Sequence, residues 1–253
     1  MANFCDSGEG ARRTVPDTIE SMIISPNIPE IRTSERNDLI QKLTEYLRQD
    51  ETIMAVWIAG SIARGEDDWL SDIDIYVAVA DESIESVVRD RHEFAARFSN
   101  PTLSMDHMRN APPEGAYLLV HYPGQFGPQH VDWFWQPESL ASIPDNGRLL
   151  FDKAGLSVID GNVWENQMNQ TGSRPAIDST DPVDLATHGL QFFWAMGLIV
   201  AKYIVRGDDE TVEYMLNMIA RTLDGIVESF GLAGLSRDTL DMSGKAAQFH
   251  SLR

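Results

Sequence analysis

Along this chain the spacing of apolar positions changes from period four to period two and back, and each change marks an element. Leu39, Ile40, Leu43, Tyr46 and Leu47 recur at helical spacing behind Ser34, a residue suited to capping a helix N-terminus, so the pattern predicts a first helix ending near Gln49. The apolar run Met54–Ala59 has strand length, and a Gly60-Ser61 turn follows it. Ile73, Ile75 and Val77 then alternate with Asp72, Asp74 and Tyr76, which is a strand with two unlike faces. Asp81 or Ser83 can cap a second helix, whose stripe is Ile84, Val87, Val88, Phe94, Ala95 and Phe98. Residues 116–122 and 129–135 read as a long-looped hairpin across Pro123–Pro128, and Arg148–Asp152 as a short strand ending in a turn at Lys153–Gly155.

The pattern changes again towards the C-terminal end. Residues 161–182 are polar and carry the last two prolines, Pro175 and Pro182. Leu185, Leu190, Phe193, Trp194, Leu198, Ala201 and Ile204 then predict a long, largely buried helix. Gly207-Asp208-Asp209 breaks it, and Val212, Met215, Leu216, Ile219, Leu223 and Ile226 predict another. The expected fold class is α+β: a small mixed or antiparallel sheet domain with flanking helices, followed by an all-α helical bundle. The expected boundaries are a mobile leader at 1–30, a sheet domain at 31–160, a linker or lid at 161–182 and a helical domain at 183–253.

Composition narrows the choice of partner. The net charge of −19 comes from 39 acidic and 20 basic residues, without a Lys/Arg-rich run. Nucleic-acid binders bring basic surface to phosphate, so nucleic acid is an unfavoured partner and a cationic small molecule a favoured one. The single cysteine, Cys5, allows no internal disulfide and fits a reducing, cytoplasmic setting. There is no uninterrupted run of eighteen apolar residues and no secretory signal pattern, so no membrane span is expected.

The chemistry concentrates at Gly60–Val77. Asp72 and Asp74 are two residues apart on a strand and share a face. Two carboxylates at ~4 Å repel by roughly 4 kcal/mol at an effective dielectric of ~20, and hard oxygen donors on one face suit Mg²⁺. Gly60, Ser61 and Gly65 allow close backbone approach to a phosphate, and Arg64 offers a guanidinium to clamp one. An Asp-x-Asp at the start of an edge strand can also be a plain solvated face; the preceding strand and Gly-Ser turn favour the phosphate reading.

Gly60, Ser61, Asp72 and Asp74 together resemble the nucleotidyltransferase superfamily typified by DNA polymerase β, whose signature is Gly-Ser, a short spacer and Asp-x-Asp. That family has a third carboxylate on a later strand, and Asp132 is its best candidate here, with Asp106 as rival. The phrase Phe193-Trp194…Lys202-Tyr203…Arg206-Gly207-Asp208 is similar to the helical C-terminal domain of aminoglycoside and lincosamide nucleotidyltransferases. The resemblance implies transfer of a nucleotidyl group, expected to be adenylyl from ATP or another nucleoside triphosphate, to a hydroxyl of an aminoglycoside-type antibiotic. It implies two Mg²⁺ ions on Asp72, Asp74 and Asp132, phosphate held by Gly60, Ser61 and Arg64, and Asp132, Asp106 or Glu138 as general base. Arg206 is either a charge complementing its helix C-terminus or a nucleotide contact. The competing implication is a toxin–antitoxin-type module that modifies or binds a partner protein.

Overall fold

The computed structural model describes residues 27–143, 146–156, 159–160 and 177–229. Most of the expected leader, residues 161–176 of the expected linker, and residues 230–253 lie outside the described residues. The chain order is α1 (Ile28–Gln49), β1 (Ile53–Ala59), α2 (Gly60–Arg64), β2 (Ile73–Val79), α3 (Ile84–Arg89), α4 (Arg91–Ala96), β3 (Leu103–Asp106), β4 (Ala116–Tyr122), β5 (Gln129–Pro137), β6 (Ser142–Ile143), β7 (Arg148–Asp152), β8 (Ile159–Asp160), α5 (Pro182–Arg206) and α6 (Asp209–Ser229).

Six strands form one sheet in the order β3-β4-β5-β2-β1-β7, and β6 pairs with β8 separately. Every neighbouring pair in the large sheet is antiparallel except β2 with β5, which run parallel. Strand alternation divides the core in two. Val56, Ile58, Ile73, Ile75, Val77, Leu118, Trp133 and Trp135 pack under Leu43 and Leu47 of α1 and Phe94 of α4. Trp57, Tyr76, Ala78, Leu119 and Phe134 point the other way, against Phe192, Ala195, Met196 and Val200 of α5 and Ile219 of α6. The sheet is therefore a middle layer, and α5 and α6 cover the face to which Asp74 belongs.

Local chemistry explains where the helices differ from the sequence pattern. α1 begins at Ile28, six residues before Ser34, because Pro29 sits in the first turn, where its missing N–H is harmless. Its first residues thus belong to what the pattern assigned to the leader. The helix expected over 84–98 is two short ones divided at Asp90. Asp81 caps neither: it accepts from the Ser139 backbone N–H at 3.1 Å. α5 starts at Pro182, the last residue of the expected linker, with Asp181 accepting from Val183 N–H at 2.7 Å, and stops at Gly207, whose φ of 72° is in the left-handed region that glycine tolerates. It is not the largely buried helix expected, because Leu190 and Trp194 of its apolar stripe are exposed. By length and composition α5 could cross a membrane; here its inner face lies on the sheet.

Ile75 is 1% exposed at the centre of β2. Ile75→Ala should lower unfolding free energy by about 2–5 kcal/mol through lost burial and a residual cavity. Urea unfolding followed by circular dichroism measures this, and a loss under ~1 kcal/mol would contradict such packing.

Candidate active site

Sheet register brings the carboxylates together. Ala59 on β1, Asp74 on β2 and Asp132 on β5 are successive cross-strand neighbours, and neighbouring strands stand only about 4.8 Å apart. Asp72, one residue before β2, shares the face of Asp74. Like charges directly opposite each other destabilise a sheet, so this row needs compensation.

Three side chains supply it. Lys202 of α5 donates from Nζ to Asp72 Oδ2 at 2.6 Å. His130 lies 3.0 Å through Nε2 from Asp132 Oδ1, and the Tyr117 hydroxyl donates to the same oxygen at 2.5 Å. Burial presses the Asp72 carboxyl pKa upward, but Lys202 and His130 outweigh it and hold the value below the ordinary carboxylate range. Burial likewise presses His130 down, and Asp132 and Asp72 overcome it, favouring the imidazolium. Tyr117 is held far above a normal phenol by burial and then by Asp132, so it remains a donor. Asp74 is the strained member. Burial, then Asp132, then Asp72 push it up to about 7.

The approach to Asp74 explains Gly60. Its φ is +68°, and a Cβ there would stand 2.2 Å from Asp74 Oδ2. The close approach that glycine permits is thus to the neighbouring carboxylate. Ser61, the next residue, hydrogen-bonds through Oγ to Ser71 Oγ at 3.1 Å. Ser71 in turn lies 3.2 Å from Asp68 Oδ1, and Arg206 grips both Asp68 oxygens at 2.8 Å. That pairing holds Asp68 at a pKa of about 2.

Other residues singled out from sequence lie elsewhere. Arg64 is 42% exposed and its Nε donates to Glu66 at 2.7 Å, so its guanidinium is turned to the surface rather than to the carboxylates. Asp106 ends β3, two strands beyond β5, and faces α4, where Arg91 Nε (2.6 Å) and His92 Nε2 (2.8 Å) engage it. Glu138 follows the far end of β5, six residues or roughly 20 Å beyond Asp132. Trp133 and Trp135 are core, whereas Trp69 lines a cleft.

That cleft, of about 210 Å³, lies between the sheet and α5. Asp72, His130 and Lys202 are at its polar end; Trp69, Leu70, Phe126, Leu198 and Val205 contribute apolar surface. Arg32 of α1 binds both of its lips, donating to the Trp69 carbonyl at 3.3 Å and to those of Phe126, Gly127 and Pro128 at 2.8, 3.0 and 3.2 Å.

Residues 41–112 match the family model described as Polymerase beta, Nucleotidyltransferase. The match supports that superfamily and a nucleotidyltransferase domain, hence a transferase. It includes Gly60, Ser61, Asp72 and Asp74 and ends before Asp132, α5 and α6. No curated protein matches the chain.

Members of this superfamily typically use a nucleoside triphosphate and a divalent metal, so the donor set bears testing against such an ion. Among the described residues no three His, Cys, Asp or Glu side chains stand as a ready-made chelate. The reason is visible: Asp72 is turned to Lys202, and Asp132 to His130 and Tyr117. The donors nonetheless fit a hard dication, being carboxylate oxygens from adjacent strands, where burial and then the neighbouring carboxylates raise Asp74. The sequence reading noted Lys202 only within the C-terminal phrase and gave no site role to Lys202, Tyr117 or His130. A lone lysine inside an apolar 25-residue helix, and a histidine two positions from Asp132 on the same strand face, were the available signals.

Gly60→Ala should destabilise the protein by more than about 1 kcal/mol, through the left-handed φ and the clash with Asp74, measured by urea unfolding. For Asp74, a folded pKa near 7 against 3.8 unfolded means that stability falls as pH rises between those values. In metal-free protein Asp74→Asn should therefore be more stable than wild type at pH 7.5, and the gap should close towards pH 4. A gap that does not change with pH would contradict the assignment.

Proposed function

We propose that this protein catalyses divalent-metal-dependent nucleotidyl transfer, with ATP as adenylyl donor, to a hydroxyl of a small molecule. The observation that carries this reading is the alignment of Asp74 beside Asp132, with Asp72 on the same face, next to Gly60-Ser61. Two Mg²⁺ ions held by Asp72, Asp74 and Asp132 would neutralise triphosphate charge and favour attack on the α-phosphorus. Backbone and hydroxyl groups of Gly60 and Ser61 would hold the terminal phosphates. Arg64 has no part in this proposal, since Glu66 engages it at the surface.

The acceptor oxygen would attack the α-phosphorus in line with the leaving pyrophosphate, and Asp132 would take the acceptor proton. Both hydrogen bonds to Asp132 fall on Oδ1. They fix the carboxylate and leave Oδ2 outside either bond, which supports a role as base.

Two observations bear on the acceptor. The net charge of −19 supports a cationic, aminoglycoside-type molecule. The cleft supports a second reading, an acceptor with an apolar face such as a lincosamide. Its walls are largely apolar and aromatic, and Arg32, Lys202 and His130 line it alongside the single carboxylate of Asp72.

The test is pyrophosphate release with ATP, MgCl₂ and a panel of aminoglycosides and lincosamides. Release should require both the metal and an acceptor. Asp72→Asn and Asp74→Asn should each lower the rate by more than about tenfold, ~1.4 kcal/mol of barrier, with unchanged circular dichroism. A smaller loss would remove these carboxylates from the mechanism.

A further inference from the structure

Lys202 stands where a lysine is costly. Its side chain is 9% exposed, in a helix whose neighbouring inward positions are Phe192, Ala195, Met196 and Val200. An ammonium is stable in such surroundings only when it is paired. Its partner is Asp72 Oδ2 at 2.6 Å, across 130 residues of sequence. One helical turn further, Arg206 makes a second ion pair to the same loop, through Asp68. The last turns of α5 are thereby fastened to the edge of the carboxylate row, and the fastening uses an oxygen that the proposed reaction needs.

We infer that Lys202 is an internal counterion that occupies Asp72 in the resting protein and must release it before a divalent cation can be held there. This rests on the reading of Asp72 and Asp74 as metal ligands. Lys202 is accordingly a positioning residue: through Asp72 it couples occupancy of the metal site to the seating of α5 on the sheet domain. An ordinary structural ion pair would not predict this, because removing it would loosen α5 without improving the site for a dication.

The experiment uses the full chain with Mn²⁺ alone, free Mn²⁺ being counted by electron paramagnetic resonance. Lys202→Met should bind Mn²⁺ about tenfold more tightly than wild type, since the competing ammonium is gone. Arg206→Met removes the same charge one turn away and should change affinity by less than about threefold. Equal effects of the two variants would indicate general electrostatics and overturn the inference, as would unchanged or weaker binding by Lys202→Met. A second readout needs no variant. In wild type, acylation of the Lys202 amine, followed by mass spectrometry, should rise with Mn²⁺ at a midpoint equal to its dissociation constant. Labelling unaffected by saturating Mn²⁺ would also overturn it. Wild-type binding without these Lys202 effects sinks the counterion alone, whereas no Mn²⁺ binding by any form sinks the metal-ligand reading with it.

Discussion

Repulsion among Asp72, Asp74 and Asp132 is the constraint around which the rest of the site is organised. The parallel pairing of β2 with β5 makes Asp74 and Asp132 direct neighbours, and strand alternation adds Asp72 to the same face. An isolated cluster of this kind would disrupt the pairing of these two central strands or stay protonated. Here Lys202, His130 and Tyr117 each bind an outer member, and the central Asp74 carries the residual strain as a raised pKa. Gly60 has no side chain because Asp74 already fills that space.

The cluster would be of little use if the loops beside it wandered, and α1 prevents this. Arg32 joins the Trp69 carbonyl to those of Phe126–Pro128. Glu35 accepts from Gln125 N–H at 2.9 Å, and buried Arg36 binds Asp67 and the Asp68 carbonyl. Three residues on one helix thus hold both loops that lead into β2 and β5. Such partly buried charge-assisted bonds contribute more to geometry than to net stability, because desolvation offsets much of their strength.

What was legible in the sequence was what depends on short spacing. The β1–β2 unit, the hairpin carrying Asp132, and the break at Gly207 follow from local periodicity and glycine chemistry, and the architecture is the expected mixed sheet followed by helices. The start of α1 went astray because Ser34 is a good cap that the chain does not use, the helix being already formed from Ile28. The break at Asp90 was hidden because Val87, Val88, Phe94 and Ala95 continue one apolar stripe across it. The pairing of Lys202 with Asp72 was illegible for a different reason. A charged side chain chooses its partner from whatever the tertiary fold brings near, and a separation of 130 residues leaves no local trace.

The same distinction between average and local chemistry governs how charge should be read in this molecule. A net charge of −19 describes the whole chain, and its influence on a bound molecule is screened beyond about 8–10 Å at physiological salt. Within that distance of the cleft floor stand Lys202 and His130, directly bonded to Asp72 and Asp132, while Arg32 binds its two lips. Direct contacts in a partly desolvated cleft are stronger than distant surface charge by the ratio of effective dielectric constants, roughly fourfold between ~80 and ~20. On the proposed reading the net acidity would draw a cation towards the protein, whereas an acceptor beside Asp72 would meet Trp69, Phe126 and Leu198 together with the charges of Lys202, His130 and Asp72 itself. For such an acceptor, steering and selection would be separate events, and they need not favour the same feature of the molecule.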